Sequence, residues 1–436
     1  MKRLTESVIN GRIAKFIFFI IWVSYVFMSL SYAYRYNLGG FNYLDWGISD
    51  WLINYEGGFV RRGLTGQVLI ELYRIHPYDI RMLIFLITIL SSVAFLCIIC
   101  FLFRKKKWGM AILPLGCCFF FTFVNLWARK DMLLLILVFL IFYSYKNYMT
   151  KKTMSSLIMF EMLSVVILLI HEASFFFFFP LLVAYSYAIY TKKLNRKSID
   201  SVLKHFLPFV PALLTMFLVC FFKGNDNLQK IVWHSWNDTF QSFPDGTHSL
   251  LELQNKIGSG VSALSWKTVS TFKGHLVAIG FGKHPICDYK ILVASIVLWV
   301  WMMVDYYFIV SRLNTITFSG GKAQHTELEI SNTLILQFLF MIPMFTVLSC
   351  DFGRTIPYWI FSSLMAVACF GKLDITSLSQ ISNHLQRPFK HPFLCSKLAY
   401  SLLVLSVPLV NCWTPTRCLQ IQLLDKIFKK CLALFL

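Results

Sequence analysis

Charge is what this sequence has least of. Only 14% of its 436 residues are Asp, Glu, Lys or Arg, while 57% are hydrophobic and 17% aromatic. A soluble domain carries about 25% charged residues, so a water-soluble globular fold is excluded as the expectation. Acidic residues are scarcest, 21 against 41 basic ones, for a formal charge of +20. No Gly-x-x-x-x-Gly-Lys-[Ser/Thr] phosphate loop and no Gly-x-Gly-x-x-Gly turn is present, which excludes the common motifs for nucleotide hydrolysis and dinucleotide binding. The alternating ten-residue segments of a membrane barrel are missing too. The basic start lacks a small-residue cleavage site, so the first apolar run is expected to be retained. Most of the twelve cysteines lie within apolar runs, among them Cys97, Cys100, Cys117, Cys118, Cys220 and Cys369. They read as small apolar residues and not as a zinc or redox set.

What is present is a series of apolar runs long enough to cross a hydrocarbon core of about 30 Å as helices. The expectation is an all-α, polytopic integral membrane protein of about eleven transmembrane helices, forming one membrane domain over residues 1–436. Basic residues in short loops set orientation. Lys2, Arg3, Arg12 and Lys15 place the N-terminus in the cytoplasm, and Arg104-Lys105-Lys106-Lys107, Lys146 with Lys151 and Lys152, and Lys192 to Lys204 mark later inside loops. Spans are expected at about 13–34, 82–103, 108–127, 131–145, 153–170, 175–191, 206–222, 290–311, 331–349, 355–371 and 398–413. Outer loops then cover about 35–81 and 223–289. Within the second, Leu250, Leu253, Ile257, Val261, Leu264, Val269 and Phe272 recur at helical spacing around Gly258-Ser259-Gly260, which predicts amphipathic helices on the outer surface. Residues 414–436 read as a basic amphipathic tail. Neither an internal repeat nor a soluble domain boundary is visible.

This topology sends five compact charged clusters to the outer face. Asp45 and Asp50 lie in the first outer loop, followed by Asn54-Tyr55-Glu56-Gly57-Gly58-Phe59-Val60-Arg61-Arg62-Gly63-Leu64-Thr65-Gly66. Arg129-Lys130-Asp131, His171-Glu172 and Asp351-Phe352-Gly353-Arg354 occur at outer helix ends. An ionisable group near the apolar core costs about 2.5–3.5 kcal/mol on insertion scales, so such groups line a cavity or pair with one another. Each cluster also has a plainer reading: a juxtamembrane turn, a snorkelling anchor, a helix cap or an i, i+3 ion pair. Glycines allow close backbone approach and paired arginines match phosphate oxygens. Convergence would therefore make a cationic vestibule for an anionic ligand. Arg61, Arg62, Arg129, Lys130 and Arg354 are the candidate phosphate-binding residues; Glu56, His171, Glu172 and Asp50 are the catalytic candidates; Asp45, Asp131 and Asp351 are supporting. His234, His248 and His275 read as loop surface.

The arrangement of first-loop carboxylates and arginines, outer helix-end clusters and one long outer loop resembles the multispanning bacterial glycosyltransferases that use polyprenyl-linked donors. These include the C class (GT-C) and the O-antigen and capsule polymerases and ligases. The Gly57-Gly58-Phe59-Val60-Arg61-Arg62-Gly63-Leu64 stretch is similar to one in surface-polysaccharide membrane proteins. The resemblance implies a polymerase of the bacterial inner membrane that joins polyprenyl-pyrophosphate-linked repeat units of an O-antigen, capsule or exopolysaccharide at the outer face. Its first-loop acidic residue would be Asp45, Asp50 or Glu56, and its pyrophosphate-binding arginines Arg61, Arg62, Arg129 or Arg354. The first loop carries no Asp-Asp or Glu-Asp pair suited to a divalent metal, so the metal-free form without a cofactor is the expectation. The partners implied are lipid-linked donor and acceptor, membrane lipids and a chain-length regulator, with no nucleic acid. A transporter or flippase for an anionic lipid-linked saccharide is the alternative; charges at one edge instead of the midplane count against it.

Overall fold

A computed structural model describes residues 46–106, 129–193, 205–237, 260–265 and most of 323–386, with isolated positions between 297 and 308. The expected first, third and eleventh spans, most of the eighth, Asp45, Asp351, the basic tail and most of the long outer loop lie outside the described residues. Among those described there are helices and no strand. The chain divides into two compact units, residues 33–95 with 126–270, and residues 1–32 with 96–125 and 271–436.

The first unit begins with a short helix α1 (Trp46–Ser49) that tightens into a 3-10 turn at Asp50–Leu52. After the glycine-rich stretch come α2 (Gly63–Ile75) and α3 (Ile80–Lys106). The described part of the segment expected as loop, residues 46–81, is therefore substantially helical. α4 (Asp131–Lys151) and α5 (Met154–Ile170) form a hairpin joined through Lys152 at φ 55°, whose N–H closes on the Tyr148 carbonyl at 2.8 Å. A 3-10 turn at Glu172–Ser174 leads into α6 (Phe175–Lys193); α7 (Val210–Phe221) follows a further 3-10 turn at Leu207–Phe209, and α8 (Asp226–Ser235) comes after it.

Among the described residues three helices are long and apolar enough to cross a membrane: Ile80–Leu102, Asp131–Lys151 and Glu172–Tyr190. The expected seventh span differs from a simple crossing. Its helix, Leu207–Phe221, turns through 100° into Asp226–Ser235, with Gly224 at φ 96° in the bend. α8 is amphipathic, so its apolar residues turn back onto the first-loop segment instead of continuing straight. α5 and the helical stretches Ile330–Phe340 and Thr355–Phe370, where three further spans were expected, are apolar but shorter. Of the eleven expected spans, the described residues thus hold three helices of sufficient length, or four if the bent pair is one span.

Aromatic packing holds α4, α5 and the 3-10 turn before α7 together, with Tyr145, Phe160 and Phe209 ring centroids 4.8–5.6 Å apart. At the same end, the Tyr145 hydroxyl bonds Ser186 Oγ, which bonds His205 Nε2. His205 Nε2 also donates to the Ser186 carbonyl at 2.8 Å. That nitrogen therefore carries a proton, and the chain ties helices together; it does not activate the serine as a nucleophile would require. Cys97 and Cys100, spaced Cys-Ile-Ile-Cys, are free thiols on α3.

A second apolar core sits at the other end of α4. Ile48, Trp51, Leu52, Ile53, Val60, Leu69 and Ile70 pack against Val232, Trp233, Trp236, Val261 and Leu264. Polar ties pin the same surfaces: Trp236 Nε1 donates to the Leu52 carbonyl at 2.8 Å, Asn54 Nδ2 to Ser235 Oγ at 2.8 Å, and the Gly260 N–H to Ser49 Oγ at 2.7 Å. Residues 261–265, expected within an amphipathic helix, instead form a buried 3-10 turn. Gly260 approaches so closely that a Cβ there would lie 2.5 Å from the Asp50 nitrogen. The backbone contact outweighs the helical periodicity of the flanking leucines.

In the other unit, α9 (Ala323–Phe340) packs on α10 (Phe352–Phe370) and α11 (Thr376–Gln386). Trp359 Nε1 donates to the Leu334 carbonyl at 2.8 Å and Asn332 Nδ2 to Ser379 Oγ at 2.8 Å. α11 occupies a stretch expected to be an inside loop.

Gly66 on α2 has no room for a side chain, since an added Cβ would stand 2.0 Å from the Ile53 carbonyl oxygen. Gly66→Ala is expected to destabilise the protein by about 1–3 kcal/mol or more through overpacking. Val68→Ala at an exposed position of the same helix should stay within about 0.5 kcal/mol. Thermal unfolding of the two purified variants in detergent measures the difference.

Candidate functional site

The glycine-rich stretch folds as a series of tight turns that brings two arginines inward. Asn54 Oδ1 accepts the Glu56 N–H at 3.2 Å, Gln67 Oε1 accepts the Tyr55 N–H at 2.8 Å, and the Gly58 N–H closes on the Tyr55 carbonyl at 2.9 Å with Gly58 at φ 105°. The Tyr55 ring lies against Gly63, where a Cβ would be 2.2 Å from Tyr55 Cε1. Arg62 itself adopts φ 65°, ψ 6° at the N-cap of α2. A left-handed arginine is strained by about 1–2 kcal/mol, and its surroundings hold it there.

Those surroundings are carboxylates from two other segments. Arg62 grips Glu172 with two nitrogens, Nε to Oε2 at 2.9 Å and Nη2 to Oε1 at 2.6 Å. Arg61 Nη1 approaches the same Oε1 at 3.5 Å, while its Nη2 donates to the Ala263 carbonyl. Arg62 Nη1 also lies 3.5 Å from Asp50 Oδ1. On the far side of Asp50, Lys130 Nζ reaches Oδ2 at 3.2 Å and the Asp50 carbonyl at 2.8 Å, and sits 5.9 Å from the centre of the Trp51 ring. Asp50, Arg61, Arg62, Lys130 and Glu172 thus form one connected cluster, drawn from positions up to 122 residues apart (172 − 50).

Lys130 is 2% exposed and Asp50 8%, so these charges are compensated by one another and not by bulk water. Burial alone would raise the Asp50 carboxyl, but the nearby Lys130, Arg62 and His171 outweigh it and hold it at about 2. Burial pushes the Lys130 ammonium and the Arg61 guanidinium down, opposed by Asp50 at the first and Glu172 at the second. Arginine remains charged regardless. Three cationic side chains therefore face two carboxylates, leaving one positive charge in excess. Helix N-termini add to it. Arg62 caps α2, Lys130 caps α4, and α6 follows directly on the turn that carries Glu172. Each such terminus carries roughly half a positive charge.

The remaining candidates divide by position. His171 caps the Glu172–Ser174 turn, its Nδ1 accepting the Ala173 N–H at 3.3 Å, which leaves Nε2 to carry the proton of the neutral ring. Asp131, 1% exposed, begins α4, where an acidic residue complements the helix dipole. Arg129 is half-buried beside them. Glu56 is not in the cluster: it faces Arg74 on α2 at 2.9 Å, a pair with Arg74 about half exposed. Arg354 lies in the first turn of α10, in the other unit.

Sequence reasoning missed the contributions of Ala263, Ser49 and Gly260. Only the Gly258-Ser259-Gly260 interruption signalled them, and glycines within an apolar periodic run do mark close backbone approach. Among the described residues no three His, Cys, Asp or Glu side chains are grouped to hold a metal ion. The excess positive charge and the guanidinium forks are suited to an anion. No family model, curated protein or solved structure matches the chain.

Breaking the buried Asp50–Lys130 pair should be costly. Asp50→Asn is expected to destabilise by about 3–5 kcal/mol, because Lys130 is left charged without its partner. Adding Lys130→Met should recover most of that loss in thermal unfolding. The acid dependence follows from the Asp50 carboxyl lying at about 2 against an ordinary 3.8. A depressed carboxylate stabilises above its unfolded value and loses that contribution as pH falls through its folded one. The stability gap between wild type and Asp50→Asn should therefore narrow between pH 3.8 and about 2.

Proposed function

We propose that this chain is an integral membrane glycosyltransferase that joins polyprenyl-pyrophosphate-linked repeat units of a surface polysaccharide at the outer face of the bacterial inner membrane. The observation that carries this reading is the convergence of Asp50, Arg61, Arg62, Lys130 and Glu172 at the N-termini of helices. Support for the membrane setting comes from the outward faces of the helices. Met154, Ile158, Met159 and Met162 on α5, and Leu213, Leu214, Phe217 and Phe221 on α7, are all exposed, and apolar faces of that extent mark a membrane or partner surface. The multi-pass topology with eleven spans and a cytoplasmic N-terminus belongs to the same proposal.

On this reading the donor diphosphate sits against Arg61 and Arg62, with Lys130 behind them paired to Asp50. The acceptor hydroxyl oxygen attacks the anomeric carbon, the bond from that carbon to the diphosphate oxygen breaks, and the electron pair leaves with the diphosphate. Positioned cations stabilise the charge that grows there. A carboxylate takes the hydroxyl proton. Asp50 holds Lys130 and Arg62 in place. Glu172 is the proton acceptor, and the His171 Nε2–H donates to a bound oxygen. Of the two described first-loop carboxylates that the resemblance offered, Asp50 is the one within the cluster. Glu56, paired with Arg74, has no part in this mechanism.

Arg62→Lys keeps the charge and loses the two-nitrogen fork. It is expected to accumulate and insert like wild type while polymer formation falls by about a hundredfold, the loss associated with removing a positioned donor. Chain-length profiles of the surface polysaccharide read the outcome; normal long chains would overturn the proposal. In liposomes the purified protein should lengthen glycans without moving lipid between leaflets. Movement without lengthening would favour the flippase reading.

A further inference from the structure

We propose that the Glu172 carboxylate occupies the place of a substrate phosphate, and that a diphosphate enters by exchange, taking the Arg61 and Arg62 guanidiniums while Glu172 swings away. This rests on the proposed phosphate-bearing donor and deepens it, assigning the site a resting state with an internal anion.

The anchoring of the groups is unequal. Arg61 is held by the Ala263 carbonyl as well as by Glu172, and Arg62 by Asp50 as well as by Glu172. Both arginines keep an anchor when Glu172 departs. Glu172, in contrast, directs its carboxylate hydrogen bonds, among the described residues, to these two arginines. It also sits in the 3-10 turn that opens into α6, at the end of that helix and not in its interior. The anchored partner is the basic one and the releasable partner the acidic one, the polarity that an anion-exchange site needs.

The geometry of the contact is that of a ligand. A planar fork holds two oxygens of one group at 2.6 and 2.9 Å, the two-point arrangement that arginine makes with carboxylate and phosphate alike. Donors for a larger anion are at hand nearby in the chain. The hydroxyls of Thr65, in the first turn of α2, and Ser174, two residues after Glu172, are buried with no hydrogen-bond partner among the described residues. A carboxylate has two oxygens to offer, whereas a diphosphate has enough to engage both arginines at once. The positive charge in excess also favours a ligand of higher negative charge than a carboxylate.

The test is titration calorimetry on the full-length protein in detergent with inorganic pyrophosphate and, in a second arm, farnesyl pyrophosphate. Removing the internal competitor with Glu172→Gln should tighten binding by about tenfold, the gain of some 1.4 kcal/mol. Unchanged or weaker binding overturns the exchange. Equal gains in the two arms assign the site to the diphosphate itself, and a gain with farnesyl pyrophosphate alone assigns it to a lipid headgroup; both sustain the proposal. A second measurement leaves the protein unaltered. Labelling of wild-type Glu172 by a hydrophobic carbodiimide, read by mass spectrometry, should rise when pyrophosphate is bound, because the released carboxylate is more easily protonated. Unchanged or reduced labelling at saturating pyrophosphate overturns the exchange. Exchange without glycan lengthening would remove the polymerase reading and keep the anion site; lengthening without exchange would do the reverse.

Discussion

The buried ion-pair chain Lys130–Asp50–Arg62–Glu172–Arg61 is the constraint on which the first unit depends. A charge removed from water costs several kcal/mol unless it is paired and hydrogen-bonded, so no member of this chain can be buried without the next. Asp50 comes from the 3-10 turn after α1, the arginines from the start of α2, Lys130 from the start of α4 and Glu172 from the turn before α6. Burying any one of them requires all four segments in register. The apolar core of Ile48, Trp51, Leu52, Val232 and Trp236 supplies the favourable burial that offsets the desolvation.

Small residues make that register attainable. Gly66 lets α2 lie on the Ile53 backbone, Gly63 admits the Tyr55 ring, and Gly260 lets the segment at 260–265 reach the Asp50 backbone. The Ala263 carbonyl then becomes a partner for Arg61. The same close approach explains why the loop residues around it abandon the helical periodicity of their side chains. A backbone contact that closes an ion-pair site is worth more here than an isolated amphipathic turn, which is marginal by itself.

The clusters legible as charged groups at outer helix ends have different fates, and residue type does not separate them. Glu56 and Glu172 are both glutamates beside candidate arginines in the predicted topology. Glu56 pairs with Arg74 at the surface, and Glu172 pairs with Arg62 inside. Glu56 lies five residues before Arg61 in the chain, yet the turn at Gly57-Gly58 carries it toward the exposed end of α2. Sequence proximity does not decide the partner, because a tight turn reverses which side of the chain faces the core. Likewise the apolar run at 206–222 reads as a crossing by composition, while the bend at Gly224 turns the next helix, α8, away from its axis.

Composition by itself determined that the fold is helical, since long apolar runs without alternation can satisfy their backbone hydrogen bonds within each segment. It also determined that the few charges within and beside those runs must be paired or put to use, because an apolar surrounding makes unpaired ones too costly. Which carboxylate meets which arginine was decided only by tertiary structure. That choice turns on backbone conformations such as the left-handed Arg62 and on contacts across more than a hundred residues, and no local pattern of side chains encodes either one.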